Sequence, residues 1–446
     1  MNGESLINRG PSLVEPPVGP PVAAWQLPAV IGAAAAAICV VDGLMQPVHF
    51  MQAYLPAWLF FWGLTLGSMV LLMIYHLIGG AWGYLLRRIL EAGVGTLPLV
   101  TLLFVPIALR LNLLYPWAQP DAVAASPKLQ HESFYMNRPY FFMRVVTYFV
   151  VWLAMGYLLR YWSRQQDMEN SPELNARLSW KCNQLGAFGA VIYGLTLHFA
   201  SIDWALTLMP AFHSTIWGPL FAVGQLLSAL SLAVIMFAGR VEHPPLAQVA
   251  SAKAVNDMGS LMFTFLIACA YMAWFQFMLI WIADLPVDII YYLPRMSNFW
   301  LGMIWAIVIL HFALPFTVLL MRPVKRSPKL LARVAWLIVV MNLVYMYYQI
   351  VPMYPEDAAP TGEAAMYWWE PSLAHPLLHS IAANWMNFVL PVAMGGLWLG
   401  CFYWQLDRRP LVVTGDEQLA QALYLRQLDE EDERRERDLA DEVNNP

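Results

Sequence analysis

Charge is scarce in this chain: Asp, Glu, Lys and Arg make up 12% of its 446 residues, while 59% are hydrophobic. Soluble domains carry roughly a quarter charged residues, so the composition is that of a membrane protein. Cysteine is sparse too, and the four present, Cys39, Cys182, Cys269 and Cys401, stand far apart. Iron–sulphur clusters and structural zinc need thiolates at close spacing, and covalent haem needs Cys-x-x-Cys-His, so none of these is encoded. The cysteines read as small buried hydrophobes. A Gly-rich phosphate loop, a nucleophile elbow and His-Glu-x-x-His are likewise missing. The nine histidines offer no pair at equal depth on two helices, as bis-histidine haem requires. Residues 1–28 are Pro-rich and lack a basic start leading directly into an apolar core, which argues against a cleavable signal peptide.

Long apolar runs are what the chain has in abundance. A helix needs roughly twenty largely apolar residues to cross the hydrocarbon layer, and ten segments qualify: 28–47, 54–80, 94–115, 141–162, 184–203, 214–239, 258–283, 297–321, 332–353 and 379–404. Strand alternation is absent, and only helices satisfy this much backbone in lipid. Twenty Trp and twenty Tyr suit two lipid–water interfaces. The predicted fold class is therefore all-α integral membrane with about ten transmembrane helices. It divides into an N-terminal Pro-rich segment (1–27), a membrane domain (28–404) and an acidic tail (405–446).

Lys and Arg set the orientation. Alternate loops hold Arg87 and Arg88; Arg160, Arg164, Arg177 and Lys181; Arg240 and Lys253; Arg322, Lys325, Arg326, Lys329 and Arg333; and Arg408 and Arg409. The other face has Lys128, Arg138, Arg144 and Arg295, and its last loop carries Glu356, Asp357, Glu363 and Glu370. Both termini are thus expected in the cytoplasm, and the basic loops have a sufficient explanation in topology without nucleic acid. Helices two to five and six to nine can be read as two four-helix groups running in the same direction. Gly63, Gly67 and Ser68 on helix two and Gly218, Gly224 and Ser228 on helix six are compatible with such a repeat, and equally with close helix packing.

An ionisable group in hydrocarbon costs roughly 2.5–3.5 kcal/mol at a helix centre by insertion scales, so each one asks for a partner or a role. Towards the outer end lie Asp42, Arg110, His198, Asp203, His213 and Asp284; towards the cytoplasmic end, His76 and Glu91; His311 falls near the middle of helix eight. Singly, His76, Asp203, His213 and Asp284 read as headgroup-level residues, and Asp42 and Arg110 as one structural ion pair. As a set, they read as a proton route. In that route His76 and Glu91, beside Arg87 and Arg88, take protons up, and Asp42, His198, Asp203 and His213 release them. Thr65, Ser68, Gln225, Ser228, His311 and water would bridge the gap. The tail run from Asp429 to Asp438 reads as a solvated helix, as disorder, or as a docking segment for a partner subunit.

Four stretches carry a family resemblance. They are WLFFWGLTLGSMVLLMIYHLIGGAWGYLLRRILEAGVGTL (58–97); LLYPWAQPD with YMNRPYFFMR; IDWALTLMPAFHSTIWGPLFAVGQLLSAL (202–230); and Phe263 through YMAWFQFMLIWIADLP to HFALPF. Together they resemble the F subunit of alternative complex III, a quinol:cytochrome c or copper-protein oxidoreductase of respiratory or photosynthetic electron transfer. This is the second polysulphide reductase-like (NrfD-like) membrane subunit, named as quinone-binding. The resemblance implies two four-helix bundles, helices 2–5 and 6–9, flanked by helices 1 and 10, in a bacterial inner membrane. It implies a sister NrfD-like subunit, multihaem cytochrome c subunits and an iron–sulphur/molybdopterin-like subunit as partners, with haems and clusters on those partners only. A menaquinone or ubiquinone headgroup in this chain would lie near the outer ends of helices two to five, with Asp42, His198 and Asp203 as proton acceptors and Trp62 and Tyr193 flanking the ring. The reading from a different class is a secondary transporter with a midplane site, against which stands the lack of matching Gly/Pro-broken helices in the two halves.

Overall fold

A computed structural model describes residues 24–168, 171–296, 298–354, 384–413, 415–416 and 418–444. The acidic loop with Glu356, Asp357, Glu363 and Glu370, nearly all of segment 1–27 and the expected start of helix ten at 379 lie outside the described residues. The chain is an all-α, multi-pass membrane protein, with ten helices long and apolar enough to cross a bilayer among the described residues. They are α1 Gln26–Met45, α2 Pro47–Ile78, α3 Ala81–Leu109, α4 Arg138–Met168 and α5 Pro172–Trp204. Then follow α6 Trp217–Ala238, α7 Ala252–Ala283, α8 Phe299–Leu320, α9 Pro328–Ile350 and α10 Met386–Leu406. An even number of crossings returns the chain to the side on which α1 begins, called here the terminal face.

The layout is the expected pair of bundles. In the first, α2 packs on α3 and α5, and α4 on α5; in the second, α6 packs on α7 and α9, and α8 on α9. α2 and α6 run in the same direction and touch along the join, while α1 and α10 clasp each other against α2. α2 is the buried axis, covered almost without interruption from Met51 to Met73. That explains its apolar, small-residue sequence: each side meets a helix and none meets lipid. Its close approach to α6 depends on Gly67, where a Cβ would lie 2.3 Å from the Gln225 backbone oxygen.

Two predicted helix starts were misplaced: the fifth helix begins at Pro172, not at 184, so Glu173, Arg177 and Lys181 are in its first turns. The third helix begins at Ala81, not at 94, so Arg87, Arg88 and Glu91 sit inside a helix, each at most 2% exposed. They look like loop residues because they are charged, but they neutralise one another in the interior. Beyond α10, Val413 and Asp416 lie against the terminal end of the first bundle, the Val413 carbonyl accepting from Tyr84 Oη at 3.1 Å and Asp416 from Arg87, and α11, Leu419–Asn444, follows. Ala422 and Leu425 of α11 are buried, and Asp429 Oδ2 accepts the Ala252 N–H at 2.6 Å at the start of α7. The beginning of the tail is therefore bound to its own chain, and the run from Asp429, read as solvated helix, disorder or docking segment, is helical to Asn444, with Glu430, Asp432, Arg434 and Arg435 exposed on it.

Candidate functional site

The first bundle holds a buried ionic cluster near the terminal face. Arg87, Arg88 and Glu91 are brought together by their spacing, since residues three and four apart share a helix face. Glu91 accepts four donors: Arg87 Nε at 3.0 Å and Ser163 Oγ at 2.6 Å on Oε1, Arg88 Nη1 at 2.7 Å and Arg409 Nη1 at 3.0 Å on Oε2. Arg87 also reaches Asp416 and Gln166, and Arg88 reaches Asp167. A buried carboxylate is tolerated when its lone pairs are filled in this way. Asp416, outside the spans, also accepts from Tyr75 Oη. Burial pushes its carboxyl up, but the Arg87 guanidinium and the bonds from Tyr75 and the Gln418 N–H outweigh that and hold it below the ordinary value of 3.8.

A second cluster lies at the opposite end. Asp203 accepts Arg144 Nε at 2.8 Å and Nη2 at 3.0 Å, a bidentate pair, and Tyr148 Oη at 2.9 Å. Arg144 stacks over the Tyr135 ring at 3.9 Å. Next to it, Trp58, Trp62, Trp152 and Trp204 form an aromatic cage with ring centroids 5.0–5.8 Å apart. A quinone ring held between two side chains needs them about 7 Å apart, twice the van der Waals contact distance. Trp62, fully buried among closer neighbours, has no face free for one, so these residues as packed do not fit a quinone headgroup.

Between the clusters runs a seam of polar side chains. Thr65 Oγ1 and Thr96 Oγ1 are 2.8 Å apart, and Trp398 Nε1 donates to Thr65 Oγ1 at 2.9 Å. Ser68 bonds to the Leu64 carbonyl at 2.7 Å and abuts Gly93, two residues beyond Glu91 on α3. Further towards the opposite face, Tyr193 Oη donates to Gln225 Oε1 at 2.9 Å, and Trp152 Nε1 to Thr196 Oγ1 at 2.9 Å. Gln225 Nε2, Trp62 Nε1 and Trp204 Nε1 are buried donors with no partner among the described residues. Buried donors in native proteins are satisfied by protein or by ordered water, so this stretch of the seam calls for water.

The remaining predicted residues scatter. His198 is half-buried on α5 against Gly218 of α6, and His213 is exposed, 3.7 Å from Glu132. His76 has a buried Nε2 without a partner among the described residues. Ser228 is buried on α6 three residues beyond Gln225 and bonds to the Gly224 carbonyl, while His311 is buried within the second bundle on a π-helical turn, Ile307–Ala313. Asp284 caps α7 in the left-handed conformation. The expected Asp42–Arg110 ion pair does not form: among the described residues neither makes a salt bridge, and Asp42 Oδ2 is buried without a partner. Arg110 sits in a break between short helices, on a different element from α1. Sequence reasoning missed Arg144, Tyr148, Ser163, Asp416 and Arg409. Arg144 stood in the quoted YMNRPYFFMR stretch, and Asp416 follows the apolar Leu411 to Val413, which needed burial.

Compared with models of protein families and with curated proteins, the chain matches no family model and no curated sequence.

Proposed function

We propose that this chain is a membrane subunit, without redox cofactors of its own, of a quinol-oxidising complex of the alternative complex III type, and that its first bundle conducts protons. The observation that carries the proton route is the seam: three buried donors without a partner among the described residues, Trp62 on α2, Trp204 on α5 and Gln225 on the facing α6, lie along the join between the two ionic clusters at opposite ends of the first bundle. Because Glu91 and Asp203 are both held by arginines, they act as fixed charges that order water at the two ends. Protons pass along water, Thr65, Thr96, Gln225 and Tyr193. Quinone chemistry belongs to the sister NrfD-like subunit, and electrons pass through multihaem cytochrome c and iron–sulphur subunits. The membrane is the bacterial inner membrane, with the terminal face towards the cytoplasm.

Membership is tested by what co-purifies from the native membrane: a multihaem cytochrome and an iron–sulphur protein are expected, and purification of the chain alone overturns it. For the route, Tyr193→Phe and Gln225→Leu are placed in the reconstituted complex. Quinol oxidation is expected to persist while protons moved per electron fall. Wild-type ratios in both variants would assign the seam to packing alone.

A further inference from the structure

A small cleft opens between α3, α4 and α10 at the terminal face, lined by Arg88, Glu91, Arg160, Gln405 and Arg409 among others. Its charge does not balance. Of the three guanidinium groups that line it, Arg88 pairs with Glu91 and Asp167 and Arg409 pairs with Glu91, whose four acceptor contacts are already taken, which leaves Arg160 with no carboxylate partner among the described residues. Arg160 donates to Gln405, a neutral partner, and keeps a buried Nε with none among the described residues; the Nε of Arg88 is in the same state. Arg164 and Arg409 add their repulsion to Arg160, so these cations crowd one another. Burying uncompensated guanidinium groups is costly, and an anion in the cleft removes the cost.

The surroundings identify the anion. On the flank of α4, Tyr157 and Tyr161 stack at 5.8 Å and are both exposed; on α10, Arg408 lies 3.8 Å over the exposed Trp404. Aromatic side chains and arginines at a helix end mark the headgroup layer of a bilayer. Basic clefts between transmembrane helices at that depth take anionic lipid phosphates. We infer that this cleft binds an anionic phosphate group, that of a phospholipid such as phosphatidylglycerol, with Arg160 and Arg409 as its ligands and the acyl chains lying along α4 and α10. The inference is independent of the proton route.

The test uses the purified full chain in detergent, titrated with phosphatidylglycerol, with phosphatidylcholine and with inorganic phosphate, reading thermal stability and bound lipid by native mass spectrometry. Phosphatidylglycerol is expected to bind and stabilise the wild type in preference to phosphatidylcholine. Arg160→Gln is expected to lose about fivefold in affinity, the weight of one arginine at a charged membrane surface. Gln405→Glu, which neutralises Arg160 in place and keeps the cleft's shape, gives the same loss should Arg160→Gln fold poorly. Undiminished selectivity for phosphatidylglycerol in Gln405→Glu overturns the site. Saturation by inorganic phosphate with no preference between the lipids overturns the lipid assignment and makes this a free-phosphate site.

Discussion

Asp416 shows how much one residue of the tail contributes to the membrane domain. It is the partner of Arg87, with side chains 1% and 7% exposed, and it accepts from Tyr75. Removing one member of a buried pair leaves the other charge uncompensated, which costs about 3 kcal/mol. Asp416→Asn is therefore expected to lower the unfolding temperature clearly, whereas Glu430→Gln, in an exposed i,i+4 pair with Arg426, changes it little. The pH dependence follows from the same pair. The folded-state pKa of Asp416 lies below 3.8, so its contribution is complete above that value and is lost as pH falls through the lower folded value. Unfolding temperature compared between wild type and Asp416→Asn should differ steadily from neutral pH down to about pH 4 and converge only in stronger acid. The sequence displayed Asp203, Arg144 and Asp416 but not their pairings, because Asp203–Arg144 spans 59 positions and Asp416–Arg87 spans 329. Glu91 was legible as an ionised group, since its arginines are local; its contact with Arg409, 318 positions away, was not.

Helices were legible wherever apolar length alone decides, and were misplaced where a charge cluster interrupts it, as at the start of α3. The small residues were legible as packing signals, but their equivalence between the bundles was not. Gly63 and Gly67 of α2 face Gln225 and Ala229 of α6; Gly218 faces His198 of α5; and a Cβ on Gly224 would meet nothing within 4 Å. Substitution separates these roles. Gly67→Ala places its methyl 2.3 Å from a backbone oxygen of α6, which only movement of a helix can relieve, at a cost of about 1–3 kcal/mol for overpacking. Gly224→Ala fills open space and should leave thermal stability unchanged. Equal stability of the two variants would mean that α2 and α6 do not meet at Gly67.

At the scale of the molecule, the two faces differ in how many of their cations are free to influence topology. On the opposite face, Arg144 is bonded to Asp203, and Arg295, 2% exposed, gives its donors to the carbonyls of Tyr291, Tyr348 and Gln349. On the terminal face, Arg87 and Arg88 are likewise consumed by Glu91, Asp416 and Asp167. After these subtractions, and that of Arg409 paired with Glu91, the terminal face still holds Arg160, Arg164, Arg177, Lys181, Arg240, Lys253, Arg322, Lys325, Arg326, Lys329, Arg333 and Arg408, whereas the opposite face retains Arg110, Lys128 and Arg138. The positive-inside rule counts Lys and Arg in short loops near helix ends, so removing the internally paired residues sharpens the asymmetry that supports the proposed cytoplasmic side of the terminal face. Single cysteines test this at two exposed positions, Ser133→Cys in the loop between α3 and α4 and Glu431→Cys in α11. A membrane-impermeant maleimide should label Ser133→Cys from outside in spheroplasts and reach Glu431→Cys only after the membrane is opened. Labelling of Glu431→Cys in intact spheroplasts would reverse the orientation, and with it the direction proposed for proton movement along the seam.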